Sequence, residues 1–218
     1  MNSVGHLSSR FLQTAAIVSV FTWAASALLA YQQTLDETDI MKAYYLGQHH
    51  DSDFRRFQAG YEKTFPTKSG IHMSRLAVRT PYYNLVQSRH DQGDSVTEID
   101  FRNGYLAHPD TSFTAVLGVD TKVVTPPIGL DSPDGPFWRA YKFELSQDGL
   151  IRPRNVSAAS IIVSSYDSYA NTYTQYIVGA ELYLNYDVQD IPSNLTHLKA
   201  TAPDGTAVAA DFDLNSLR

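Results

Sequence analysis

The stretch TYTQYIVGAELYLNYDV, Thr172 to Val188, decides the fold. Its even positions Tyr176, Val178, Ala180, Leu182, Leu184 and Tyr186 are apolar or aromatic, and Gln175 and Glu181 stand between them. A period of two places alternate side chains on opposite faces, so the stretch reads as a strand with one buried face. ASIIVSSY, residues 159–166, precedes it across a short polar segment and reads as its hairpin partner.

Moving outward, the same signature recurs. TSFTAVLGVDTKVV (111–124) puts Phe113, Ala115, Leu117 and Val119 on one face. FWRAYKFELS (137–146) reads as a strand ending at the Asp148-Gly149 turn, and SVTEIDF (95–101) as a strand ending at the Asn103-Gly104 turn. HLKATAPDGTAVAADFDL (197–214) reads as a hairpin turning at Pro203-Asp204-Gly205, with Val208, Ala210, Phe212 and Leu214 alternating inward. TPPIGLDSPDGP (125–136) is a loop, because its prolines and glycines cannot sit in a ladder. Six or seven strands with regular turns predict a mainly β chain, an antiparallel sandwich. No βαβ rhythm is present, which disfavours a parallel nucleotide-binding sheet. In pattern alone the C-terminal half resembles the immunoglobulin-like domains of exported bacterial proteins, without the cysteine pair of antibody domains.

Helical signals precede the strands. DETDIMKAYYLG (36–47) spaces Ile40, Ala43 and Tyr44 at i, i+3, i+4, with acids in the first turn and Gly47 as a stop. DSDFRRFQAGYEKTF (51–65) lines Phe54, Phe57, Tyr61 and Phe65 on one stripe behind Asp51 or Ser52 as a cap. In RTPYYNLVQSRHDQG (79–93), Thr80 caps, Pro81 takes the first helical position and Gly93 closes; a strand is the competing reading.

At the N-terminus, AAIVSVFTWAASALLAY (15–31) follows Arg10 and precedes the acids Asp36, Glu37 and Asp39. That asymmetry predicts the N-terminus inside and the rest of the chain outside. Two readings stay open. As a retained membrane-spanning helix the run would use Ala15, Val20, Trp23, Ala27 and Leu29. As a signal peptide it would be cleaved near Ala27, after Ala25-Ser26-Ala27, or near Ala30. The expected organisation is a signal anchor or signal peptide over 1–31, a helical segment over 32–93 and a β-sandwich over 94–218.

Composition narrows the function. The 218 residues carry a net charge of −6, which repels phosphate backbones and disfavours nucleic acid as a partner. With no cysteine there is no disulfide, thiol nucleophile or zinc ribbon.

GQHHDSDF (47–54) gathers His49, His50, Asp51 and Asp53. Imidazole with carboxylate suits a transition metal, and His49 and Asp53 at i, i+4 could share a helical face, with His72 or His90 as a third ligand. The plainer reading is a polar linker in which Asp51 caps a helix. His90-Asp91 is better read as a helix C-terminus than as a catalytic pair, and no Gly-x-Ser-x-Gly elbow supplies a nucleophile. DSPDG (131–135) reads as an ordinary turn.

Of fourteen tyrosines, six lie between Tyr166 and Tyr186. Tyr166, Tyr169 and Tyr173 surround a Ser/Asn/Asp loop, the composition of an adaptable recognition surface, although cross-strand packing of the rings would explain them as well. The expectation is a membrane-anchored, extracytoplasmic, non-enzymatic binding or scaffolding protein. It would be an accessory subunit meeting other envelope or membrane proteins, without a cofactor. The alternatives are a metal-dependent hydrolase using His49 and Asp53, and a soluble sugar- or peptide-binding module.

Overall fold

The computed structural model describes residues 34–125, 137–169 and 171–217. Its frame is two antiparallel sheets. In chain order the strands are β1 (Glu62–Thr64), β2 (Ile71–Arg79), β3 (Ser112–Thr125), β4 (Lys142–Ser146), β5 (Leu150–Ile151), β6 (Asn155–Asp167), β7 (Thr172–Asp187), β8 (Leu195–Thr201) and β9 (Ala207–Asp213). One sheet runs β1-β2-β3-β7-β6 and the other β5-β4-β8-β9. Every pairing is antiparallel.

The sheets face each other across one core. Leu76, Val78, Phe113, Ala115, Leu117, Val119, Leu182 and Leu184 from the larger sheet share a buried cluster with Leu145, Leu198, Ala200, Phe212 and Leu214. The architecture is therefore consistent with a β-sandwich, as the alternation predicts. Each fully buried leucine contributes about 1.5–3 kcal/mol through the water it sheds.

The helices are α1 (Glu37–Gly47), α2 (Ser52–Gly60), α3 (Pro81–Gln92) and α4 (Glu98–Ala107). Side chains start each one. Asp36 accepts the Asp39 N–H (2.9 Å), Asp51 that of Asp53 (2.8 Å), Thr80 that of Tyr83 (3.1 Å) and Thr97 that of Asp100 (3.2 Å). They enclose a second cluster of Ile40, Ala43, Tyr44, Phe54, Tyr82, Val86, Phe101 and Tyr105. Arg89, almost wholly buried, sits over the Tyr44 ring at 4.6 Å and donates to the Gly93 carbonyl.

The structure corrects four expectations. SVTEIDF is not a strand: Thr97 caps a helix there, also donating its hydroxyl to Asp100 (2.7 Å), and Phe101 and Tyr105 are buried one turn apart. Its apparent period of two was a coincidence that a cap and an i, i+4 pair override. The helix expected to reach Phe65 stops at Gly60, since the next residues join the sheet: Tyr61 accepts the Val78 N–H (3.0 Å) and Lys63 pairs with Leu76. The Phe137–Ala140 segment is a 3-10 turn, so that strand begins only at Lys142.

The transmembrane-helix expectation is the fourth. Among the described residues no helix is long and apolar enough to cross a membrane. The residues on which it was placed, Ala15, Val20, Trp23, Ala27 and Leu29, lie outside the described residues, as does the 131–135 turn.

Candidate binding surface

The hairpin of β6 and β7 is the longest in the chain, pairing Asn155 with Asn185 at one end and Asp167 with Thr172 at the other. β3 runs beside β7 from Asp187 to Gly179 and meets it again at Ile177. Beyond that point, residues 172–176 of β7 pair with β6 alone among the described residues. Among the described residues a two-stranded ribbon thus runs on past the last β3 pairing and carries the tyrosine loop at its end.

A bulge sets which residues share a face. Ile161 pairs with Gly179 but Ile162 with Ile177, which leaves Val178 unpaired. The extra residue reverses the alternation of β7. Tyr176 therefore sits opposite Val163 and leaves the face of Leu182 and Leu184, contrary to the single phase expected from the sequence. The face that continues the sandwich interior now holds the pairs Ile162–Ile177 and Tyr166–Tyr173. Gly179 is the signal for this, since a glycine inside a strand pattern marks a bulge or a close approach. A Cβ there would lie 2.8 Å from the Val119 carbonyl oxygen.

At the tip Tyr166 and Tyr173 pack across the strands with ring centroids 4.8 Å apart. The Tyr166 hydroxyl donates to Asn171 Oδ1 at 2.8 Å, and Asn171 takes a positive φ of 49° that asparagine tolerates. Cross-strand packing therefore exists, yet it does not bury the rings. Tyr166 is 51% exposed, Tyr173 75% and Tyr169 102%, beside exposed Ile162 and Val163. Aromatic rings braced against each other but open to water can bury much area on a partner with little further ordering.

The histidine-rich segment assembles differently from a metal site. His49 and His50 fall between α1 and α2, so no helical face joins His49 to Asp53. His49 instead faces Asp51 (3.3 Å), and Asp53 accepts from Arg56 (3.2 Å). The Asp51 carboxyl is held below its ordinary value chiefly by the Asp53 backbone N–H. His90 stacks on Phe54 at 3.8 Å and lies 4.4 Å from the His50 ring, while buried His72 approaches the Gly70 carbonyl at 3.0 Å. Among the described residues no group of three or more potential ligands converges.

One cluster escaped the sequence reading. On the outer face of the larger sheet Arg75 bridges Glu62 and Glu181, Arg79 lies near Glu181 and over the Tyr183 ring, and the Tyr183 hydroxyl donates to Glu181. Its members come from β1, β2 and β7, so no local motif announces it. Acids and bases balance there, which leaves little net field for a charged ligand. No family model, curated protein or solved structure matches the chain.

Proposed function

We propose that this chain is a binding protein that recognises a protein partner through the tip of the β6–β7 hairpin. One observation carries the reading: Tyr166, Tyr169 and Tyr173 all stand open to water at the end of a ribbon that, among the described residues, runs on past the last β3 pairing. A ribbon that only stabilised the fold would bury such rings. Histidines engaged with a carboxylate, a phenyl ring and a backbone carbonyl favour binding over a metal-dependent hydrolase. Export rests on the sequence, on Arg10 ahead of an apolar run and acids behind it, and the partner is accordingly sought outside the cytoplasm. The immunoglobulin-like form of the sandwich belongs to the same proposal, supported by two facing antiparallel sheets in a cysteine-free chain.

The test places a photo-crosslinking phenylalanine analogue at position 169 in the native cell, with the same group at Ile99 on α4, also exposed, as control. A discrete adduct from 169 that is absent from 99 supports the reading. Equal labelling at both positions, or none, removes it.

A further inference from the structure

Four strands stand at sheet edges, β1, β6, β5 and β9, and an edge invites pairing with another chain unless something blunts it. β1 has three residues and β5 two. β9 carries Asp211 and Asp213. Among the described residues β6 has only its terminal Asp167. It is thirteen residues long, and residues 155–166, NVSAASIIVSSY, contain neither a charge nor a proline. Val156, Ile161, Ile162 and Val163 are 60%, 40%, 53% and 50% exposed, although an edge this apolar ordinarily carries a charge or a covering element.

We infer that β6 pairs antiparallel with β6 of a second copy, joining two five-stranded sheets into one of ten. Charge selects this occupant. The whole chain bears −6, which opposes self-association, and 155–166 is a stretch where two copies meet without setting like charges together. Its residues are all uncharged, so no register within 155–166 sets like charges opposite each other. A two-fold axis normal to the sheet keeps each residue on its own face, so the contact is self-complementary. Paired backbones satisfy the open edge, and the exposed Ile161 to Val163 run gains cross-strand neighbours. The inference goes beyond the tyrosine-tip reading and fails separately from it, since it concerns the strand edge and a different partner.

The two-fold makes a sharp test, helped by the absence of native cysteine. In any such register one residue, the central one, faces its own copy. Single cysteines are introduced in the full chain by A159C, S160C, I161C, I162C and V163C, with L106C on α4 as an exposed control. Under mild oxidation the disulfide-linked dimer should peak at one β6 position, at least tenfold above the control. Ile161→Lys with Val163→Lys should weaken the dimer measured by sedimentation at least tenfold, while far-ultraviolet circular dichroism and the melting temperature stay near those of the parent. A flat cross-linking profile across β6, or a parent monomeric at the highest attainable concentration, overturns the inference. So does a folded lysine variant that dimerises as before.

Discussion

Tyr186 shows how one atom can work against the core around it. Its ring is buried against Phe113, with centroids 6.2 Å apart, and its hydroxyl has no hydrogen-bond partner among the described residues. Burial alone pushes its pKa well above the ordinary range, the mark of a phenol that could not ionise there. A buried hydroxyl without a partner forfeits its hydration, at a cost of about 1–3 kcal/mol. Tyr186→Phe removes the hydroxyl and keeps the ring, so the variant should be more stable than the parent by roughly 1 kcal/mol, read from the urea midpoint at unchanged slope. A variant less stable than the parent would show that the hydroxyl is satisfied. Arg89, also buried, is met in part: its guanidinium lies over the Tyr44 ring and donates to the Gly93 carbonyl, while its Nε has no partner among the described residues.

Among the elements, α1 and α3 approach each other through a glycine. A Cβ on Gly47 would lie 2.6 Å from both Arg89 Cβ and the Val86 carbonyl oxygen, so a side chain there must push two helices apart. Alanine is the better helix former by about 1 kcal/mol, but overpacking a tight contact costs about 1–3 kcal/mol. Gly47→Ala should therefore destabilise the protein, most visibly as faster amide exchange in α1 and α3; unchanged exchange would mean the helices slide apart freely. Two helix caps, Asp36 on α1 and Asp51 on α2, and Asp204 in the β8–β9 turn give the fold an acid dependence. Asp36, Asp51 and Asp204 each have a pKa below the ordinary value, lowered chiefly by the backbone N–H of Asp39, Asp53 and Thr206. A folded-state pKa below the unfolded one gives stability that is complete above the unfolded value and disappears as the pH falls through the folded one. The urea midpoint should thus hold at neutral pH and decline through the carboxylate range. Asp51→Asn keeps an acceptor that does not titrate, so its decline should be shallower than the parent's; parallel curves would exclude Asp51 as a contributor.

Across the whole molecule, what the sequence disclosed follows the range of the interactions involved. β3 was legible because Phe113, Ala115, Leu117 and Val119 all face one core, and α3 because Thr80, Pro81 and Gly93 are local punctuation. α4 was misread because Thr97 and Asp100 stop a two-residue alternation only through a cap, and the bulge was missed because Gly179 answers to a carbonyl on β3, sixty residues earlier in the chain. The tyrosine tip was legible in composition, but exposure depends on how far β3 accompanies β7. The same long-range logic joins the two cores. Phe57 packs against both clusters, stacking on Tyr83 at 5.7 Å and meeting Tyr61 at 4.9 Å and Tyr82 at 6.0 Å. Helices enclosing a small cluster depend on such contacts, because short helices are marginal by themselves. Phe57→Ala removes the shared ring at a cost of about 3–5 kcal/mol if it were fully buried, and less here because the ring is partly exposed. The loss should fall unevenly: α1 to α4 melt first while the sandwich persists, so that unfolding of the variant takes two steps. Helical ellipticity and amide exchange in β3 and β7, followed together through a thermal ramp, should separate in the variant and coincide in the parent. If they still coincide in the variant, the cores are coupled through other contacts, and the helices and sheets melt as one unit without Phe57.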